Sequence, residues 1–121
     1  MQTQQVERVT NLAGLAFGVL GTVAPQALLR SYGATDDDAV LGHMTRLWGT
    51  RTIAICTLGL LADDSASRRR LASVAVAMNA VDTVVGIAGG SGVPAKLRWQ
   101  GALTSGAFAA IGAWVLSRRD V

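Results

Sequence analysis

Three polar residues lie inside long apolar runs of this chain and are its strongest candidates for chemistry. Arg51 lies within the apolar run of residues 47–62, and Asn79 and Asp82 lie within the run of residues 71–90. A charge at the middle of a membrane-spanning helix costs roughly 2.5–3.5 kcal/mol on insertion scales. If these runs cross a membrane, both charged residues are therefore expected to have partners.

The positions of the two charges predict that they pair with each other. Arg51 is eleven residues before the end of its run, and Asp82 is eleven residues after the start of the next. Two antiparallel helices joined by a short turn, each rising about 1.5 Å per residue, would hold both charges at about the same height. Asn79 lies three residues before Asp82 and thus on the same helix face. The sequence predicts an Arg51–Asp82 ion pair with Asn79 as a hydrogen-bonding neighbour.

Two roles for these residues stay open. In the first, the ion pair only holds the helices together. In the second, it borders a small polar cavity in which Asp82 is a general acid or base, while Arg51 and Asn79 orient a substrate. Ionisable groups inside a membrane are functional candidates by default, so these three residues are the catalytic candidates.

Five further residues are expected near the outer mouth of such a cavity, because they lie at the starts of the second and fourth apolar runs: His43, Arg46, Trp48, Trp99 and Gln100. A lone histidine at a helix start is more often a surface residue, and His43 is the only histidine. A zinc site needs three or four His, Cys or carboxylate ligands, and the chain has one His and one Cys. No metal and no cofactor is expected.

The elements that position these residues are predicted to be four helices. Half of the residues are hydrophobic and 16% are charged, against about 25% in an ordinary soluble domain. The apolar runs show neither the two-residue alternation of strands nor the polar face of a soluble amphipathic helix. The sequence predicts an all-α fold in a single domain over residues 1–121, an integral membrane bundle of four transmembrane helices at about 9–29, 44–62, 70–90 and 98–117. Residues 26–30 are expected to continue the first helix beyond a mild kink at Pro25, and a soluble or peripheral bundle is the alternative.

The basic residues favour a membrane protein over a nucleic-acid-binding protein. The net charge is +3, and the basic residues form short groups between apolar runs, as membrane-flanking charges do. The larger group lies on the side of both termini: Arg8, Arg68, Arg69, Arg70, Arg118 and Arg119. This distribution favours a multi-pass protein of the cell membrane with both termini cytoplasmic. The run of three arginines at residues 68–70 is interpreted as a topology determinant or as a site for anionic lipid headgroups, and no nucleic-acid partner is expected.

Small residues recur at a spacing that allows helices to approach closely. Three such pairs are separated by three residues: Gly14 and Gly18, Gly86 and Gly90, and Gly101 and Ser105. Pairs of this kind let helix backbones touch. Packing within the bundle is favoured, and a homo-oligomer is the alternative.

Three segments carry a resemblance to a known family. Ala24-Pro25 is followed by Tyr32-Gly33, the second apolar run opens with Arg-Leu-Trp-Gly-Thr-Arg at residues 46–51, and the third follows consecutive arginines and carries Asp82. In these segments the chain resembles a family of small four-helix membrane proteins of unknown function that is loosely DoxX-like. That family often has an acidic residue after the second arginine of the motif, where this chain has Thr52, so Asp82 is the clearer counter-ion. The resemblance implies the four-helix fold and no particular activity.

Three functions are compatible with this sequence. The first is an accessory membrane protein without enzymatic activity that binds lipid or a protein partner. The second is a small membrane enzyme of isomerase or cyclase type, which acts on a lipophilic metabolite with Asp82 as the acid or base. The third is an oligomeric transporter subunit whose polar path is lined by Arg51 and Asp82.

Overall fold

The computed structural model describes residues 2–35, 38–88 and 94–118, and all regular structure among them is helical. Five helices follow one another along this part of the chain: α1 (Thr3–Val23), α2 (Pro25–Ser31), α3 (Ala39–Leu61), α4 (Ser65–Ala88) and α5 (Ala95–Ser117). The predicted all-α class is confirmed. Two residues used in the predictions, Gly90 and Arg119, lie outside the described residues.

The first predicted helix is divided into two at Ala24. The helix axis bends by 116° between α1 and α2, so the expected mild kink at Pro25 is wrong. Pro25 lies in the first turn of α2, where its missing N–H is no loss and its fixed φ suits a helix start. Ala24 leaves helical geometry, with φ −135° and ψ 63°. The bend is favoured because it lets α2 bury Leu28 and Leu29 against the other helices.

The end of α2 is a turn that requires glycine. The amide of Gly33 donates to the carbonyl oxygen of Arg30 at 3.0 Å, and the amide of Ala34 donates to that of Leu29 at 2.9 Å. This is the hydrogen-bond pattern of a Schellman cap. Gly33 has a φ of +101°, which side chains of L-residues rarely allow. The cap stops α2 after two turns and leaves Tyr32 within reach of α5.

Two helices begin five residues before their predicted starts at residues 44 and 70, α3 at residue 39 and α4 at residue 65. In both cases an aspartate precedes the helix and caps it. Asp38 accepts a hydrogen bond from the amide of Leu41 at 3.0 Å, and Asp64 accepts one from the amide of Ser67 at 2.7 Å. Capping residues are polar, so hydropathy places a helix start later than the cap does.

The helices form two closely packed pairs, α1 with α3 and α4 with α5, and the two pairs touch each other much less. Glycines allow the close approach of α1 and α3. A Cβ atom at Gly49 would lie 2.5 Å from Oγ1 of Thr22 and 2.7 Å from the carbonyl oxygen of Gly18, and a Cβ at Gly14 would lie 2.6 Å from the sulfur of Cys56. The prediction that Gly14 and Gly18 serve packing within the bundle is confirmed.

Gly86 and Gly101, from the other two small-residue pairs, do not make such contacts. A Cβ atom at Gly86 would lie 3.4 Å from the Cβ of Ala102, an ordinary van der Waals distance. A Cβ at Gly101 would have no atom of the described residues within 4 Å outside its own helix backbone and chain neighbours. Gly101 therefore borders open space instead of a neighbouring helix.

Most large apolar side chains of the described residues lie on the surface. The buried apolar residues are Leu28, Leu29, Leu97, Ala102 and Val115, whereas nineteen large hydrophobic residues on α1, α3, α4 and α5 are exposed. Large exposed apolar patches are rare on soluble monomers and mark protein-interaction or membrane surfaces. By length and composition α4 can cross a membrane, and α1 with α2 passes the same criterion as a bent pair. The structure thus contains one candidate span, or two, and the four-span bundle stays a prediction.

Candidate functional site

The predicted ion pair joins the two helix pairs. Nη2 of Arg51 on α3 donates to Oδ2 of Asp82 on α4 at 2.6 Å, so this prediction is confirmed. The side-chain exposure is 42% for Arg51 and 25% for Asp82, which places the pair at the edge of the contact and not in a closed core. Phe17 on α1 and Phe108 on α5 make a second link, an edge-to-face contact with ring centroids 6.1 Å apart.

Asn79 lies beside this ion pair but donates elsewhere. Its Nδ2 donates to the carbonyl oxygen of Ala75, 2.9 Å away on the same helix. Arg51 and Asn79 both border a small cavity of about 50 Å³, which Trp48 also lines. One N–H of the Asn79 side-chain amide is therefore used within α4. Asn79 makes no hydrogen bond to the ion pair among the described residues, and it is a neighbour of Arg51 on one cavity wall.

A larger cavity of about 360 Å³, called the main cavity below, lies between α2, α3, α4 and α5. Its volume falls within the range of small-molecule sites. Leu28 and Leu29 form one side of it, so the bend at Ala24 helps to create the space. The remaining apolar wall comes mainly from α3, α4 and α5: Leu41, Met44, Trp48, Val85, Leu97 and Ala102. Asp82 lies in the same wall, so the ion pair borders a mostly apolar cavity.

Three of the four hydroxyl groups of the main cavity, those of Tyr32, Thr45 and Thr104, are hydrogen-bonded within the protein, whereas the Ser105 hydroxyl makes no hydrogen bond to the described residues. Oη of Tyr32 donates to Oγ1 of Thr104 at 2.9 Å, and Oγ1 of Thr104 donates to the carbonyl oxygen of Gln100 at 3.0 Å. Oγ1 of Thr45 donates to the carbonyl oxygen of Leu41 at 2.8 Å. A phenol oxygen accepts as well as donates, so the Tyr32 hydroxyl keeps the capacity to accept a hydrogen bond from a bound molecule.

Of the five residues predicted at the cavity mouth, Trp48 alone borders the main cavity. Arg46 donates from Nε to the carbonyl oxygen of Thr22 at 3.3 Å, and three others are exposed away from the cavity wall: His43, Trp99 and Gln100. The apolar runs gave the ends of the helices but not the face that each helix turns inward. These four residues lie near the starts of α3 and α5, as predicted, but on helix faces that do not border the main cavity.

Apart from Trp48 and Asp82, the residues that line the main cavity were not predicted as site residues, and Tyr32, Leu97 and Gly101 are among those missed. Leu97, Gly101 and Ser105 are spaced by four and thus lie on one face of α5. That spacing is visible in the sequence and was the available signal. The position of Tyr32 depends on the bend at Ala24, for which the sequence offers no equally local signal.

The three arginines of residues 68–70 do not form one patch. Arg69 donates to the carbonyl oxygens of Leu116 at 2.7 Å and Arg118 at 3.1 Å, which satisfies carbonyls that the end of α5 leaves free. Arg68 donates to the carbonyl oxygen of Asp63 at 3.1 Å. Arg70 is exposed. The lipid-headgroup prediction therefore rests mainly on Arg70, because Arg68 and Arg69 are engaged with the protein.

Glu7 is a buried charged residue that the sequence interpretation missed. It is 8% exposed, and its Oε2 and the Nε of Arg68 are buried without a hydrogen-bond partner among the described residues. Both residues line a cavity of about 70 Å³. Glu7 is the fifth residue of α1 and Arg68 the fourth of α4. Both residues lie in the first two turns of their helices, but no short turn joins α1 to α4, so the height argument that matched Arg51 with Asp82 does not apply to them.

No protein-family model, curated protein or solved structure matches this chain. Within residues 2–35, 38–88 and 94–118, no group of three His, Cys, Asp or Glu side chains could hold a metal ion. Among the described residues, the main cavity combines a mostly apolar wall with an ion pair at its edge, an arrangement suited to binding.

Proposed function

We propose that this protein is a multi-pass protein of the cell membrane with four transmembrane helices and both termini cytoplasmic. The exposed apolar side chains on four long helices support this placement. The two arginines of α3 support it as well, because both have partners within the protein. Arg46 donates to a carbonyl oxygen of α1, and Arg51 donates to Asp82, as charges inside a membrane require.

Within the membrane, the protein binds a lipophilic small molecule in the main cavity and acts as an accessory protein. The observation that carries this proposal is the cavity of about 360 Å³ whose wall is mostly apolar. Small-molecule sites are typically concave, apolar and supplied with a few convergent polar groups. Tyr32, Asp82 and Thr104 are such groups in this wall.

A membrane enzyme acting through Asp82 is the second candidate, because Asp82 borders the main cavity. A general base must offer an oxygen to the proton of its substrate. Oδ2 of Asp82 accepts from Arg51 at 2.6 Å, and Oδ1 is left to meet such a proton. Binding without chemistry is the better-supported function because it rests on the concave shape and the mostly apolar wall of the cavity alone.

Mass spectrometry of the small molecules that co-purify with the protein tests the binding function. We expect Gly101→Leu to fold and to lose the bound molecule, since a Cβ at Gly101 meets no neighbour within 4 Å among the described residues. Ala107→Leu, at an exposed position of the same helix, is the matched control and should retain it. Identical small molecules in the wild type and both variants would contradict the proposal. A chemically related molecule that accumulates in a folded Asp82→Asn variant would favour the enzyme.

Cysteine labelling tests the topology. Cys56 is the only cysteine, so a Cys56→Ala background accepts single cysteines at chosen positions. A membrane-impermeant maleimide added to intact cells should label Thr35→Cys, between α2 and α3, and should leave Gln2→Cys and Arg118→Cys unlabelled. Labelling of either terminal position from outside would contradict the proposed orientation.

A further inference from the structure

We infer that the protein has an internal water site between its two helix pairs, in which bound water joins Glu7 on α1 to Arg68 on α4 by hydrogen bonds. The site is the cavity of about 70 Å³ that both residues line. We call it the seam cavity, because its wall comes from α1 and α3 on one side and from α4 and α5 on the other. It shares no lining residue with the main cavity, so the inference does not depend on what the main cavity binds.

Two polar atoms in the wall of the seam cavity lack the hydrogen bonds that buried atoms normally make. Oε2 of Glu7 and Nε of Arg68 are buried, and neither has a hydrogen-bond partner among the described residues. Glu7 as a whole is only 8% exposed. A buried polar atom without a partner is strongly unfavourable. A bound molecule that supplies both hydrogen bonds removes this penalty.

The chemistry of these two atoms selects an uncharged molecule that both donates and accepts. Nε of an arginine only donates, and a carboxylate oxygen only accepts. A cation would be attracted by Glu7 but repelled by Arg68, and an anion would meet the reverse. The other polar side chains of the wall carry amide, hydroxyl or thiol groups without charge: Thr10, Asn11, Cys56 and Asn79. Water can donate to or accept from each of them.

The volume limits the occupant to water or to a molecule of similar size. A volume of about 70 Å³ corresponds to about two water molecules at the share of roughly 30 Å³ that each has in the liquid. A cavity holds water when it has this room and polar partners for each molecule, whereas an apolar cavity stays dry. The seam cavity meets both conditions at the end where Glu7 and Arg68 lie.

Water has a way into the seam cavity from the N-terminal end of α1. Glu7, Asn11, Gly59 and Arg68 also line a second cavity of about 290 Å³, whose wall is mostly polar. The exposed residues Gln2, Gln4 and Gln5 border this outer cavity, which connects it to the surface. Glu7 and Arg68 therefore stand between the outer cavity and the seam cavity, where entering water meets them first.

The single thiol of the chain reports water in the seam cavity, because Cys56 lies in its wall and is the only cysteine. Infrared spectroscopy follows the conversion of S–H to S–D after the full chain in lipid nanodiscs is transferred to D₂O. Thr83→Cys in a Cys56→Ala background is the matched control. Thr83 is also half-buried, lies against Gly106 of α5, and lines none of the four cavities described above.

We expect the Cys56 thiol of the wild type to exchange roughly tenfold faster than the control thiol, because water lies beside it. The double variant Glu7→Leu/Arg68→Met replaces both unpaired groups with apolar ones, which leaves neither atom to satisfy. It should fold, as judged by a cooperative thermal transition, and should slow exchange at Cys56 roughly tenfold because its cavity is dry. Arg70→Met, at the exposed arginine, should leave the exchange rate unchanged.

A wild-type Cys56 thiol that exchanges as slowly as the Thr83→Cys thiol would overturn the inference, whether or not the double variant folds. Fast exchange that persists in a folded Glu7→Leu/Arg68→Met protein would overturn the assignment of the water to Glu7 and Arg68, since water would then reach Cys56 by another way. Either result would leave the binding function of the main cavity standing.

Discussion

Replacing either residue of the Arg51–Asp82 pair alone should destabilise the protein strongly. Replacing the second residue as well should add little to that loss. An exposed ion pair in water contributes roughly 0.2–1 kcal/mol. A single charge left without its partner at membrane depth costs roughly 2.5–3.5 kcal/mol. The protein leaves 25% of the Asp82 side chain exposed. In the proposed membrane placement, this exposed part faces lipid and not water. We therefore expect Arg51→Gln and Asp82→Asn each to lower the free energy of unfolding by about 2–3 kcal/mol.

The double variant should be little worse than either single variant, because it leaves no unpaired charge. The expected coupling energy is about 2 kcal/mol, clearly above the value for a pair in water. The measurement is a double-mutant cycle on unfolding free energies in bicelles, with Arg70→Gln, at an exposed arginine, as the control for loss of positive charge. A coupling energy below about 0.5 kcal/mol would place the pair in water-like surroundings and would refute the reasoning from membrane depth.

Three further predictions concern stability in detergent. Gly49→Ala should cost about 1–3 kcal/mol by thermal unfolding, because its Cβ would lie 2.5 Å from a side-chain oxygen of α1, whereas Gly101→Ala should gain up to about 1 kcal/mol from helix propensity; equal effects would contradict the packing. Arg69→Met should cost about 1–3 kcal/mol through the carbonyls it leaves unpaired, and a similar loss in Arg70→Met would contradict this. Hydrogen bonds from the backbone and side chain of Ser67 lower the pKa of Asp64. The stabilisation by Asp64 is thus present above its unfolded pKa and is lost as pH falls through the lower folded pKa. The wild type should therefore melt at a higher temperature than Asp64→Asn at neutral pH, and this difference should shrink only in that acidic window.

The fold class and the ion pair could be predicted because both depend on regular helix geometry. A constant rise per residue turns sequence distance into height when a short turn joins two helices. Arg51 and Asp82 meet this condition, since only residues 62–64 separate α3 from α4. Gly14 and Gly18 were predictable for a related reason, because residues four apart lie on one helix face.

The main cavity could not be predicted, because its shape depends on contacts between residues distant in sequence. Pro25 is compatible with a kinked helix or with a new one. The burial of Leu28 and Leu29 against the other helices decides between them. Tyr32 lies in the cavity wall as a result of that burial. The packing of the helix pairs also sets the inward face of each helix, and it leaves four residues outside the wall: His43, Arg46, Trp99 and Gln100.

The sequence by itself determined that the chain is helical, which residues share a height, and which glycines share a face, since these follow from the period and rise of a helix. The tertiary structure alone decided that α2 folds back, that Arg69 caps α5 while Arg70 stays exposed, and that Gly101 opens onto a cavity. These features depend on which apolar surfaces bury each other, and a free energy of burial belongs to the whole packed arrangement and not to a local pattern of residues.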